Sequence, residues 1–314
     1  MNLPRWYLEY KNLIENSIND YLVDYFSDEK NKWLNFIKEA TLYSVKWWKR
    51  IRSILALEFY LVFTWYTFED LINEKDSDSS SKWHIPDIIK LCIAIELLHA
   101  YSLVHDDLPA MDNDEYRRWN LTTWKKYWEA NAVLVWDLLN SQSFELLATM
   151  KNTITSFYLW QAVWLKWMLW GQVLDLYYEN NPEKLTLDNL IETHNKKTWA
   201  LIETSIFCWI LCSAEEVHFV NNEETNNQKK FLDFWKKIWL AFQVKDDLLD
   251  VEWNLEETWK SVWDWEEKWF VYFMWLEETH KYLDKLIFDS KEIIKELNSE
   301  KLEFLVDYIW NRKK

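Results

Sequence analysis

The sequence predicts an all-α protein, one large helical bundle spanning residues 1–314, and three observations predict it. Apolar residues recur at helical spacing over long segments, and no segment alternates as a half-buried strand would. The 4 prolines, Pro4, Pro86, Pro109 and Pro182, stand where helices should begin or stop. No linker-like stretch divides the chain, and no period of about 20–50 residues repeats, so one domain is the economical reading.

The clearest helix is expected over residues 88–105, started by Pro86, with Leu91, Ile95, Leu98 and Leu103 recurring along it. The stretch 157–170 as written mixes tryptophan and leucine like a membrane-interface helix, a likeness that fades with glycine at its tryptophan positions. A further helix is expected over 231–251, and 277–310 reads as one or two more. Residues 179–183 and 221–224 are polar and read as helix–helix connections. The low-complexity stretch 76–81 reads as a mobile surface loop.

Bulk composition narrows the function classes. At 49% hydrophobic and 28% charged residues the chain is globular. A net charge of −16 argues against a nucleic-acid partner. The start, Met1-Asn2-Leu3-Pro4-Arg5, has no apolar signal core, and no apolar run reaches about 18 residues, so neither secretion nor stable membrane insertion is expected. Cys92, Cys208 and Cys212 are too few for a disulfide framework and read as buried thiols in a reducing cytoplasm.

Tryptophan occurs 25 times and glycine once, at Gly171. Average usage would give about 22 glycines in such a chain. Several tryptophans stand where a turn needs glycine: Trp47-Trp48 before Lys49, Trp119 after Arg117-Arg118, and Trp199 after Lys197-Thr198. Glycine belongs there because it accepts φ > 0 and close backbone approach, and tryptophan does neither easily. We read most of these tryptophans as glycines: a source that reads UGA as glycine, translated with a table that reads UGA as tryptophan, gives this exchange.

Two aspartate clusters carry the chemistry. They are Asp106-Asp107-Leu108-Pro109-Ala110-Met111-Asp112 and Asp246-Asp247-Leu248-Leu249-Asp250. Asp246 and Asp250, four apart, share a helix face, with Asp247 beside them. Pro109 should end the first helix and let Asp112 fold back toward Asp106. Carboxylates packed together among apolar neighbours repel unless a cation joins them. Mg²⁺ suits the task, because it takes one or two carboxylates and fills its octahedron with phosphate oxygens and water. Cations stand at separate places: Lys49, Arg50 and Arg52; Arg117 and Arg118; and Lys197 and Lys260 singly. Arginine forks and lysine point charges bind phosphate. Together these sets point to substrates bearing diphosphate.

From about residue 43 to residue 276 the chain resembles the polyprenyl diphosphate synthases, the trans-prenyltransferases, and among them the bacterial-type farnesyl diphosphate synthases. The stretch from Leu98 to Asp112 resembles the family's first aspartate-rich motif with its two-residue insertion. Gln243-Val244-Lys245-Asp246-Asp247-Leu248-Leu249-Asp250 resembles the second. With glycine restored, the neighbourhoods of Lys49, Arg118, Gln172 and Lys197 also read as family motifs. Lys268-Trp269-Phe270-Val271 departs from the family pattern, as does Ser53, where proline is usual.

The resemblance implies an isoprenoid-synthase bundle around a central cavity, homodimeric, using Mg²⁺, with three ions per active site. It implies head-to-tail condensation of isopentenyl diphosphate with dimethylallyl or geranyl diphosphate to give farnesyl diphosphate. A geranylgeranyl diphosphate synthase or a non-catalytic partner subunit are the alternatives. Asp106, Asp112 and Asp246 would hold the metal, supported by Asp107, Asp247 and Asp250. Arg117, Lys197 and Lys260 would bind the allylic diphosphate, with Gln243 nearby. Lys49, Arg52, His99 and Arg118 would bind isopentenyl diphosphate. Lys197, Thr198, Gln172 and Asp175 would serve the ionising carbon. Tyr101, five residues before Asp106, and Ser102 would set product length. His105 reads as a hydrogen-bond partner of an adjoining carboxylate, and His99, the motif aside, as a core histidine.

Overall fold

The computed structural model describes residues 3–27, 32–46, 49–64, 66–77, 85–117, 119–163, 168–194, 196, 223–258 and 270–311. These form thirteen α-helices, two short 3₁₀ turns and one two-stranded hairpin. The described residues divide into two compact units, 3–157 and 158–311.

In the first unit, helices α1 (Arg5–Tyr25), α2 (Lys32–Ser44), α3 (Ile51–Phe63), α4 (Phe68–Ser77) and α5 (Asp87–Asp106) come before a hairpin, and α6 (Thr123–Tyr127) and α7 (Glu129–Ala148) follow it. Helix α5 is its axis and packs against α7, α3 and α1. Its sequence is apolar nearly all round, which marks a helix covered on every side. Ile88, Ile89, Leu91, Ile93, Ile95, Leu97 and Leu98 are all buried. Each contributes about 1.5–3 kcal/mol relative to an exposed position. Helix α5 is long and apolar enough to span a membrane, yet most of it is buried inside the unit. Around it, α1 turns a stripe of Tyr7, Tyr10, Ile14, Ile18 and Leu22 inward, at the three- and four-residue spacing of one helix face.

Pro4 and Pro86 stand just before α1 and α5, and Pro182 opens a 3₁₀ turn, as their positions in the sequence suggest. Pro109 lies in the turns that follow α5. The hairpin, β1 (Tyr116–Arg117) paired antiparallel with β2 (Asn120–Leu121), is unforeseen. Two residues per strand are too few to show alternation.

Helix α8 (Ile154–Val163) crosses the division. The second unit contains α9 (Met168–Glu179), α10 (Leu187–His194), α11 (Glu223–Thr258), α12 (Phe270–Ile294) and α13 (Glu300–Asn311). Helices α11, α12 and α13 pack on one another. Val244, Leu248 and Val251 form the buried stripe of α11, and Leu302, Leu305, Val306 and Ile309 that of α13. Helix α11 runs 36 residues, well beyond the expected 231–251, and takes in Glu223 and Glu224 from the expected connection. Of the expected loop at 76–81, Asp76 and Ser77 end α4, and the rest lies outside the described residues.

Three tryptophans adopt backbone conformations that suit glycine. Trp119 has φ 67° in the two-residue connection of the hairpin. Trp128 joins α6 to α7 with φ 71° and ψ 154°. Trp275 breaks α12 with φ 61° and ψ 158°. The last two lie in a region occupied almost only by glycine. All three side chains are largely exposed, at 80%, 72% and 63%, and Trp128 stacks on Phe36 at 5.9 Å. Trp47, Trp48 and Trp199 lie outside the described residues.

Candidate active site

Helix α5 stops where Pro109 blocks its continuation. The chain turns back at once: the Asp112 N–H donates to the Asp106 carbonyl at 2.9 Å, and the Met111 and Asn113 amides close on Leu108. Asn113 takes a left-handed φ of 55°, which asparagine tolerates better than most residues. The turn brings together the two aspartates that the sequence places six apart, as the proline implied.

Asp107, between them, is buried and committed elsewhere. The Arg117 fork donates to its Oδ1 from Nε at 2.7 Å, and Nη2 lies 2.6 Å from the same oxygen. Arg117 also reaches Asp114 at 3.4 Å. Burial pushes the Asp107 carboxyl up to about 6, against the opposing pull of the guanidinium. A cavity of about 50 Å³ beside this pair is lined by Tyr43, Leu103, Val104 and the hairpin's second strand. His105 lies 3.5 Å from the Asp106 carboxylate and tilts against the Trp136 ring. Tyr101, one turn earlier, stacks on the same indole at 5.8 Å. Burial raises its hydroxyl above the ordinary tyrosine value. The Ser102 hydroxyl donates to the His99 carbonyl, a local helix bond.

The basic loop docks against the same helix. Arg52 Nη1 donates to His99 Nε2 at 3.2 Å. A guanidinium has donors only, so this ring nitrogen accepts. His99 is half-buried beside a cation, and so is not the core histidine its apolar surroundings suggest. The Tyr7 hydroxyl donates to the Lys49 carbonyl at 2.6 Å and fixes the loop from α1. Arg50 is different: it is buried and paired with Glu96. Grouping it with the phosphate-binding cations is therefore corrected, because its side chain is 3% exposed and Nη1 and Nη2 donate to Glu96 and to the Val45 carbonyl. Glu96 carried no signal of its own in the sequence, beyond being a charge in an apolar helix.

In the second unit, α11 places Asp246 half-buried, with Gln243 one turn earlier. Asp247 is buried, and its Oδ2 accepts the Phe270 N–H at 2.8 Å. A carboxylate at the start of α12 caps a free amide and opposes the helix dipole. Phe270, where the chain departs from the family pattern, is fully buried. On α9, Gln172 is buried and Asp175 half-buried, three residues apart on one helix face. Arg118, Lys197, Thr198, Lys260 and the Asp250 side chain lie outside the described residues.

Among the described residues, no three His, Cys, Asp or Glu side chains gather into a metal cage. Mg²⁺ needs none, since one or two carboxylates suffice when phosphate oxygens and water complete the octahedron. Asp106 and Asp112, joined across one turn, are hard oxygen donors of that kind, and the donor set fits the ion.

Aspartates at the end of a buried helix, with cations docked two turns earlier, make a frame suited to diphosphates. The chain belongs to the polyprenyl synthetase family, whose model matches residues 35–300. It is 31% identical over 311 residues to the farnesyl diphosphate synthase of Micrococcus luteus, covering 95% of this chain and 96% of that one. It is 32% identical over 231 residues to the geranylgeranyl diphosphate synthase of Cyanophora paradoxa, covering 70% of this chain and 74% of that one. The fold matches the crystal structure of a geranyltransferase from Helicobacter pylori complexed with magnesium and isoprenyl diphosphate. The TM-score there is 0.71 at 28% identity, covering 99% of this chain and 98% of that one.

Proposed function

We propose that the protein is a Mg²⁺-dependent prenyltransferase that joins isopentenyl diphosphate head-to-tail to dimethylallyl and then geranyl diphosphate, releasing farnesyl diphosphate. The observation that carries this reading is the placement of two sets of groups on α5. His99, with Arg52 against it, and Asp106, with Asp112 folded onto it, lie seven residues apart. Seven residues are two turns, so both sets share one side of the helix about 10 Å apart. That spacing suits two diphosphates whose carbon chains must meet.

Asp106, Asp112 and Asp246 would hold the metal, with Asp250 in support. Bound Mg²⁺ supplies a Lewis acid that stabilises charge on the departing allylic diphosphate. The protein's own groups do the rest. Arg117, Lys197 and Lys260 bind the allylic diphosphate, and Gln243 lies near it. Lys49, Arg52, His99 and Arg118 hold the isopentenyl diphosphate, so that its double bond faces the allylic carbon. Gln172 and Thr198 oxygens, with the Asp175 carboxylate, stabilise the cationic carbon as the diphosphate leaves. The new carbon–carbon bond forms at that carbon, and a proton lost from the adduct restores the double bond. Asp107 belongs to the support of this site through Arg117, and Asp247 through its cap on α12. The family resemblance supports three ions per site, a homodimer and a single domain. Cys92, a buried free thiol, suits a reducing cytoplasm.

The test is a product assay with Mg²⁺, isopentenyl diphosphate and dimethylallyl diphosphate, with products resolved by length. It should be run on the chain as written and with glycine at the motif tryptophans. A C15 diphosphate is expected. A C20 product would move the protein to the geranylgeranyl reading, and a folded protein that makes no product would leave it as a non-catalytic subunit.

A further inference from the structure

Arg50 is held firmly in the basic loop. Its backbone is left-handed, φ 58° and ψ 21°, immediately before α3. Such a conformation in a residue other than glycine or asparagine persists only where surrounding bonds enforce it, and it tends to mark functional sites. The bonds here are plain. Nη1 donates to Glu96 Oε2 at 3.0 Å, and Nη2 donates to the Val45 carbonyl at the end of α2. Nε faces Glu15 of α1 at 3.7 Å. The side chains of Arg50 and Glu96 are 3% and 1% exposed. The second Glu96 oxygen accepts the Ser53 hydroxyl at 2.7 Å, and that hydroxyl also lies 3.1 Å from the Cys92 carbonyl. Ser53 is the position where the family resemblance leads one to expect proline, which has no hydroxyl to offer.

These bonds stand in register with the site. Glu96 and His99 are one turn apart on α5, and Arg50 and Arg52 are two apart at the start of α3. The Arg50–Glu96 pair and the Arg52–His99 contact are thus successive rungs between the same two helices. Three cations within residues 49–52 also repel one another, and Glu96 neutralises the one that is buried.

We propose that the Arg50–Glu96 pair, completed by the Ser53 hydroxyl, is a positioning device for the isopentenyl diphosphate site. It fixes the start of α3 on α5 so that Lys49, Arg52 and His99 offer their nitrogens to one diphosphate. Arg50 itself does not touch the substrate. The proposal rests on the reading of Lys49, Arg52 and His99 as that site.

Steady-state kinetics with both substrates, alongside thermal unfolding, tests it. Glu96→Gln should raise KM for isopentenyl diphosphate about tenfold, as small displacements of binding groups do, while KM for the allylic diphosphate stays within about twofold. Glu96→Asp should recover part of the loss, and Ser53→Ala should show a smaller rise in the same constant. A buried ion pair can be replaced by apolar residues with the fold retained. The double variant Arg50→Met/Glu96→Leu should therefore remain folded and still show the raised KM. Arg52→Ala is the reference. If it raises KM for isopentenyl diphosphate and the folded Glu96 variants do not, the site stands and the positioning role is overturned. If Arg52→Ala leaves that constant unchanged, the site reading fails and the proposal fails with it.

Discussion

Trp128 and Trp275 occupy backbone conformations that cost a tryptophan of order 1–3 kcal/mol each, a strain that glycine does not bear. Their indoles are largely exposed, and the Trp128 ring has its stacking on Phe36 to offset part of the cost. Replacing either by glycine should raise stability by about 1–2 kcal/mol, after allowing for the chain entropy that glycine loses. Replacement by alanine should not, because a Cβ keeps the clash. Denaturant unfolding of the four single variants measures the difference. The same reading expects UGA at codons 119, 128 and 275 of the gene, and UGG there would remove it. Asp107 offers a second check at this scale. Its folded value near 6 lies above that of an unfolded aspartate. The folded state therefore keeps a proton that the unfolded chain has lost, and the stability linked to it is full below about pH 4 and falls away up to about pH 6. Asp107→Asn should remove that part of the pH dependence. A stability difference between the two proteins that is constant from pH 4 to pH 7, without metal, would contradict it.

Among the elements, α5 was the most legible. Its apolar run and its opening proline fixed its extent to within one residue at each end, 87–106 against 88–105. Pro109 likewise announced the turn that folds Asp112 onto Asp106. The hairpin was hidden because its strands are too short to have a period, and the true length of α11 because its ends are polar. In the site, residue type told which groups could bind phosphate but not which of them the fold would bury. Arg50 and Arg52 look alike in sequence, and only the docking of α3 on α5 separates the buried partner of Glu96 from the residue against His99. Tyr101 shows what the element decides. It projects from α5 onto Trp136 of α7, one turn before the aspartates. Tyr101→Ala should deepen the pocket there and lengthen the product beyond C15, and an unchanged C15 product would refute that role.

For the whole molecule, the family match at residues 35–300 covers parts of both compact units, although the sequence has no linker to suggest a division. In both units the described motif aspartates stand at a helix end or beside a buried helix stripe. Asp106 ends α5, Asp247 caps α12, and Asp246 stands beside the buried stripe of α11. This plan explains why apolar periodicity and the aspartate and cation motifs pointed to helices and to diphosphates, while the assignment of each carboxylate required the packing. Asp107 and Asp247 belong to the aspartate motifs, yet both are spent on internal bonds, to Arg117 and to Phe270.

The burial of α5 also has a consequence for time. Amides in a helix covered on all sides exchange with solvent only when the surrounding unit opens as a whole. His99 and Asp106 are mounted on that helix, so the distance between the two proposed diphosphate sites should last as long as the fold does. Amide hydrogen exchange should show residues 88–104 among the slowest in the chain, with protection close to the global unfolding free energy, and the hairpin at 116–121 among the fast ones. The protein would thus keep its measure between two substrates in its most slowly exchanging segment, and leave adjustment to the loops.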